Sequence, residues 1–240
     1  MKKIYEKNEL TFSLIWIGVY VVLFSVADSI SLDLGTAKII TVPVCLFMTI
    51  FLAVWIVKNG LSRKYGLCKM RIDYKRYLYF LPLVVIASTN LWCGVSLHLS
   101  IFETILYVIS MICVGFIEEV IFRGFLFQAL CRENVKRAIV ISSITFGIGH
   151  IVNLLNGAEL IPTLLQICYA IAIGFLFTVI FYQSESLIPC IVTHSLINSL
   201  SVVAGDGTEA LNIVTAIVLT VISGSYAIWL LSNRVKGGKN

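Results

Sequence analysis

Three short groups of residues in this chain combine ionisable or strongly polar side chains with an apolar setting. The first holds Glu118, Glu119 and Arg123, the second Phe146 and His150 with Gly147 and Gly149 between them, and the third His194 and Asn198. Carboxylates, imidazoles and amides activate water and stabilise developing oxyanions. Placing an ionisable group in a bilayer costs roughly 2.5–3.5 kcal/mol on insertion scales, so such groups mark a partner or a chemical task. The chain has 3 histidines, and His150 and His194 both belong to this set.

Helix spacing divides the first group. Successive residues of an α-helix differ by about 100°, so Glu118 and Glu119 cannot point the same way, whereas Glu119 and Arg123, four apart, share a face. The spacing predicts an ion pair between Glu119 and Arg123 that holds shape. Glu118 is left without a partner in its own helix, and a carboxyl group in that position suits general acid or base work. Facing a solvated vestibule with no task is the bland alternative for all three. Gly147 and Gly149 allow another helix to approach closely, and His150 on its own reads equally well as a packing residue. His194 and Asn198, again four apart, share a face and could both donate to one oxyanion, or could act as interhelical glue.

Depth joins the three groups. Glu118 lies fourteen residues before Arg132, His150 thirteen after Arg137 and Asn198 thirteen after Glu185, each about 20 Å along a helix. His194 is one turn shallower. Packing residues acting independently have no reason to coincide in this way. A carboxylate, two imidazoles and an amide at one level suit water activation and attack on an amide carbonyl.

The elements that must position them are membrane helices. Of the 240 residues 59% are hydrophobic and only 13% charged, against about 25% charged in a soluble domain. The chain reads as an all-α polytopic membrane bundle, one domain over 1–240 without internal repeat or linker, with 101–204 as its chemical core. Apolar runs cover roughly 11–30, 37–57, 78–97, 101–130, 137–155, 160–182, 187–204 and 209–232, about eight spans in all. The fourth run is longer than a span needs. Lysines and arginines gather in the N-terminal tail, at 58–76, at 132–137 and in the C-terminal tail. If the spans alternate, all of these fall on one side, and only Lys38 falls on the other. The positive-inside rule then puts both termini in the cytoplasm of a multi-pass cell-membrane protein.

The net charge of +5 thus reads as a topology signal, not a nucleic-acid partner. Ser25-Val26-Ala27 resembles a signal-peptide cleavage site, but the apolar run and charged tail before it are long for one, so the segment is read as a span. The basic connection at 58–76 is an ordinary topogenic loop, with contact to anionic lipid as the alternative. Seven cysteines, scattered and odd in number, read as inert apolar thiols. Asp28 is expected at an interface, and His98 in an outer loop without a partner.

The three groups, in this order on successive hydrophobic segments, resemble the signature of the CPBP family, the CAAX-protease and bacteriocin-processing (Abi) intramembrane proteases, related to the type II CAAX prenyl endopeptidases. That signature runs Glu-Glu-x-x-x-Arg, Phe-x-x-x-His, His-x-x-x-Asn, and the chain matches it over about residues 115–200. The resemblance implies that Glu118 and His150 activate water, that His194 and Asn198 form the oxyanion site, and that Glu119 and Arg123 organise the cavity. It implies hydrolysis of a peptide bond in a membrane-associated protein or peptide at the cytoplasmic side, as in CAAX-type or leader processing. The family is read both as a metalloprotease and as glutamate-dependent. Here the HExxH arrangement is missing and Arg123 disfavours a dication, so no metal is expected, with Glu118, His150 and His194 as the zinc set if one is needed. A non-catalytic immunity protein or scaffold is the alternative, disfavoured because it would gain stability by losing buried charge. A proton-coupled carrier is a second alternative, and it lacks a visible inverted repeat.

Overall fold

A computed structural model describes residues 1–70 and 80–232. Among them the chain is helical, with one isolated β-bridge between Val95 and Ala204. The short α1 (Lys2–Lys7) leads into α2 (Glu9–Asp33), started by Asn8, whose side chain accepts from the Thr11 amide. α3 (Thr41–Lys58) returns. α4 (Leu81–Ser88), continued by one 3-10 turn to Leu91, is followed by α5 (Ile101–Glu118). Ser100 and Glu103 close a reciprocal capping box on α5, satisfying two amides that a helix start leaves open.

The helix does not stop at Glu118. It widens into a π-helical segment, Glu119–Phe127, and resumes as α6 (Gln128–Cys131). α7 (Val135–Gly149) is capped by Asn134 and ends at His150, where a turn leads to the four-residue α8 (Val152–Leu155). α9 (Leu160–Ser184) stops at Glu185, whose φ of 54° leaves the helical region. α10 (Ile188–Ser201) has Pro189 in its first turn, and α11 (Glu209–Ser232) closes the bundle.

Six of these stretches are long and apolar enough to cross a membrane: Glu9–Asp33, Thr41–Lys58, Ile101–Cys131, Val135–Leu155, Leu160–Ser184 and Glu209–Ser232. The runs expected at 78–97 and 187–204 are shorter helices, Leu81–Leu91 and Ile188–Ser201. At 1.5 Å per residue neither reaches the core thickness of about 30 Å. The first ends at the Trp92–Gly94 turn, where Gly94 has φ 84°. Residues 78 and 79, the end of the basic connection from Arg71, and the C-terminal basic tail lie outside the described residues.

Two glycines let the central helices touch. A β-carbon on Gly115 would lie 2.7 Å from the Ser195 amide nitrogen and 2.9 Å from its Cα, so α5 and α10 meet backbone to backbone there. One on Gly147 would lie 2.8 Å from the Ile171 nitrogen, fixing α7 against α9. Gly149 faces open space, so only one of the two glycines before His150 serves close approach.

Gly115→Ala is expected to force α5 and α10 apart and cost about 1–3 kcal/mol, the usual penalty of overpacking. Gly18→Ala is expected to be near neutral, because nothing lies within 4 Å of where its β-carbon would sit. Thermal unfolding of the two variants in detergent checks the contrast.

Candidate active site

The buried polar residues converge between α2, α5 with its π continuation, α7, α9 and α10. Arg123 and Glu119 are both fully buried, and Arg123 Nη1 lies 3.0 Å from Glu119 Oε1. The distance is that of an ion pair, but the alignment is too poor for a hydrogen bond from Nη1, and Nε and Nη2 have no acceptor among the described residues. Aromatic faces complete the guanidinium's surroundings. Its central carbon sits 4.0 Å from the Phe146 ring centroid and 5.7 Å from that of Phe177. Such cation–π contacts contribute about 2 kcal/mol when desolvated.

Glu119 Oε1 also lies 2.8 Å from His194 Nδ1. An ionised carboxylate can only accept, so Nδ1 carries the proton and donates to Glu119. That leaves Nε2 of His194 facing Glu118, 3.4 Å from its Oε2. The other oxygen of Glu118 accepts a 2.5 Å hydrogen bond from the Tyr20 hydroxyl on α2. Spacing offers Glu118 no partner in its own helix; its partner is Tyr20, which reaches the site from α2 across 98 positions of chain. Oε2 of Glu118 has no hydrogen-bond donor among the described residues.

The π segment alters the geometry assumed for the motif. Its turn is wider than the 3.6 residues of an α-helix, yet the Glu119–Arg123 contact is kept. Ser142, buried on α7, donates to the Phe122 carbonyl at 2.9 Å, giving the loosened backbone an extra donor.

His150 and Asn198 line the same cavity as Glu118, a space of about 470 Å³. Neither makes a side-chain hydrogen bond among the described residues. The His150 ring meets Phe146 edge-on at 5.5 Å, and Phe146 meets His194 at 5.6 Å. One phenylalanine thus touches both histidines and the arginine.

Asp28 is not a free interfacial group. It accepts from Lys38 at 2.8 Å and from Thr41, and it lines this cavity. His98 has partners too, the Ala204 carbonyl at 3.2 Å and Asp206 at 3.7 Å. Asn153, bonded to Gln166 at 2.9 Å, adds amides to the wall that the motif did not reveal. All seven thiols are free.

A zinc ion takes three protein ligands at about 2.0–2.2 Å in catalytic sites. Among the described residues no three His, Cys, Asp or Glu side chains stand close enough to hold a metal ion. Nδ1 of His194 bonds Glu119 and Nε2 faces Glu118, but Glu118, His150 and His194 do not come together as a three-ligand group.

Comparison with known proteins agrees with the motif. A family model described as type II CAAX prenyl endopeptidase Rce1-like matches residues 100–200, the stretch containing all three motifs. No curated protein and no solved structure matches the chain. With its six span-length helices and this similarity, the chain is a multi-pass integral membrane protein.

Removing one member of a buried ion pair strands the other, at about 3–5 kcal/mol. Arg123→Met is expected to lose that much in thermal or denaturant unfolding. Adding Glu119→Gln to Arg123→Met is expected to restore part of it, a non-additivity that a double-mutant cycle in detergent reads directly.

Proposed function

We propose that the protein is an intramembrane endopeptidase that hydrolyses a peptide bond of a membrane-associated protein or peptide through water activated by Glu118. The observation that carries this reading is the unsatisfied Oε2 of Glu118. It is a buried carboxylate oxygen with no hydrogen-bond donor among the described residues, on the wall of a cavity that also presents His150 and Asn198. A water bonded to that oxygen and to His150 would lie between a proton acceptor and a second polar group, as general-base attack requires. The similarity of residues 100–200 to a CAAX endopeptidase family supports the same class of reaction.

In this mechanism Glu118 takes a proton from water as its oxygen attacks the carbonyl carbon of the substrate. The carbonyl oxygen becomes an oxyanion, to which the Asn198 amide donates, with His194 beside it. The carbon–nitrogen bond then breaks as the proton on Glu118 passes to the leaving amine. Tyr20 fixes the orientation of the Glu118 carboxyl from one side. Glu119, itself held by Arg123, fixes His194 from the other. In this reading no step runs through a metal.

Three measurements on protein purified in detergent, with a labelled peptide library, test the reading. Glu118→Gln is expected to reduce cleavage by about 10²–10⁴-fold, the usual contribution of a general base; cleavage at the wild-type rate would remove Glu118 from the mechanism. Tyr20→Phe removes a hydrogen bond to a charged group, about 1.5–3 kcal/mol, and is expected to lower kcat about ten- to a hundredfold with a smaller change in KM. Chelator is expected to leave the wild-type rate unchanged, and a loss restored by zinc would place a metal in the reaction.

A further inference from the structure

A peptide drawn into a cavity leaves water, and each of its N–H and C=O groups then needs a partner. Many proteins meet this need with the free edge of a β-strand, whose backbone pairs with that of the ligand. The walls around Glu118 are helices, and a helix spends its backbone groups on itself. Side chains have to supply the partners instead.

Several polar side chains on the cavity wall are already engaged. Tyr20 is bonded to Glu118, and Asp28 and Lys38 are bonded to each other. Ser110 and Ser201 donate to the carbonyls of Tyr107 and Asn198. Asn153 and Gln166 differ. Nδ2 of Asn153 donates to Oε1 of Gln166 at 2.9 Å, and neither side chain makes another hydrogen bond among the described residues. A side-chain amide carries one carbonyl and two N–H groups. A single bond between two amides therefore leaves Oδ1 of Asn153 free to accept and Nε2 of Gln166 free to donate. Turning both amides over exchanges the two atoms and still leaves one acceptor beside one donor. An acceptor beside a donor is what one residue of a strand edge offers its neighbour.

The pair is also well held. Both side chains are half-buried on the cavity wall. The Asn153 amide donates to the His150 carbonyl at 3.0 Å, and the Asn153 carbonyl accepts from the amides of Asn156 at 3.1 Å and Ala158 at 2.9 Å. Gln166 precedes Ile167 on α9, and a β-carbon on Gly147 would lie 3.1 Å from the Ile167 carbonyl oxygen. The close contact of α7 with α9 thus fixes one amide, and the turn after His150 fixes the other.

Resting on the endopeptidase reading, we propose that Asn153 and Gln166 form a clamp for the substrate backbone. Oδ1 of Asn153 accepts from the N–H of one substrate residue, and Nε2 of Gln166 donates to the carbonyl of the same residue. Asn153 lies one turn beyond His150, about 5–6 Å away, and an extended residue covers about 3.3 Å. The clamp therefore reads the backbone one or two residues from the carbonyl under attack. It selects a segment that is extended at that point, whatever its side chain. A helical segment, whose N–H and C=O are already paired, is not held.

Binding in detergent tests the clamp without turnover. The probe is a fluorescent alanine–leucine peptide, together with a series in which one N–H at a time is replaced by an ester oxygen. Fluorescence anisotropy reads their binding to Glu118→Gln protein. The ester at one position is expected to weaken binding about five- to a hundredfold, the effect of leaving a polar partner unpaired. Adding Asn153→Ala is expected to remove that difference. Adding Gln166→Glu instead keeps an acceptor for Nδ2 of Asn153, and so the tie between α8 and α9, but loses the donor. It is expected to bind the all-amide peptide about five- to a hundredfold more weakly, with thermal unfolding unchanged. A pair that only ties the two helices predicts no loss of binding there. Equal binding of every ester form overturns the clamp. So does an ester penalty that survives Asn153→Ala, unchanged binding with Gln166→Glu, or no binding of the all-amide peptide. An ester penalty in binding, without cleavage of any library peptide by wild type, sinks the endopeptidase reading and leaves the clamp standing.

Discussion

The site is organised around one cation that cannot be discharged. A guanidinium stays protonated under any condition a protein meets, so a fully buried Arg123 has to be compensated where it sits. Glu119 supplies the opposite charge, and the faces of Phe146 and Phe177 supply the rest. Once Glu119 is held ionised, its oxygen directs Nδ1 of His194, and Nε2 then faces Glu118. Tyr20 holds the far side of that carboxyl. The order runs from a residue with no chemistry of its own to the one whose oxygen is left open.

The helices meet the demands of this chain of contacts. α10 has to lie close enough to α5 for His194 to reach Glu119, and Gly115 removes the side chain that would hold them apart. α7 has to press Phe146 onto the guanidinium, and Gly147 lets it rest on α9. The short length of α10 is compatible with this role, because it packs between α5 and α4 and carries its polar groups inside the bundle. A helix whose His194 and Asn198 face inward does not need the unbroken apolar surface of a full span.

Much of this was legible because the relevant signals are local. Four-residue spacing pairs Glu119 with Arg123 and puts His194 and Asn198 on one face, and the low charge density marks the membrane. Tyr20 was not legible. A tyrosine in an apolar helix looks the same whether it sits at an interface or faces a carboxylate, and only packing of α2 against the π segment distinguishes the two. The pairing of Asp28 with Lys38 was not legible for a related reason. They are ten residues apart across a turn, and a helix end gives no register for such a pair. Ser142 reads from sequence as one more small residue until the carbonyl it serves is known.

The widened turn from Glu119 to Phe127 restricts how this sequence can vary in length. A π turn holds residues that a regular helix would not need, so losing one would leave the strand of backbone helical and still apolar enough for the bilayer. Everything beyond the loss would, however, rotate by about 100°. Arg123 would leave the face of Phe146, or Glu119 would leave His194, depending on which side of the deletion each fell. Substitutions in this stretch can be judged residue by residue, but its count of nine is a property of the whole.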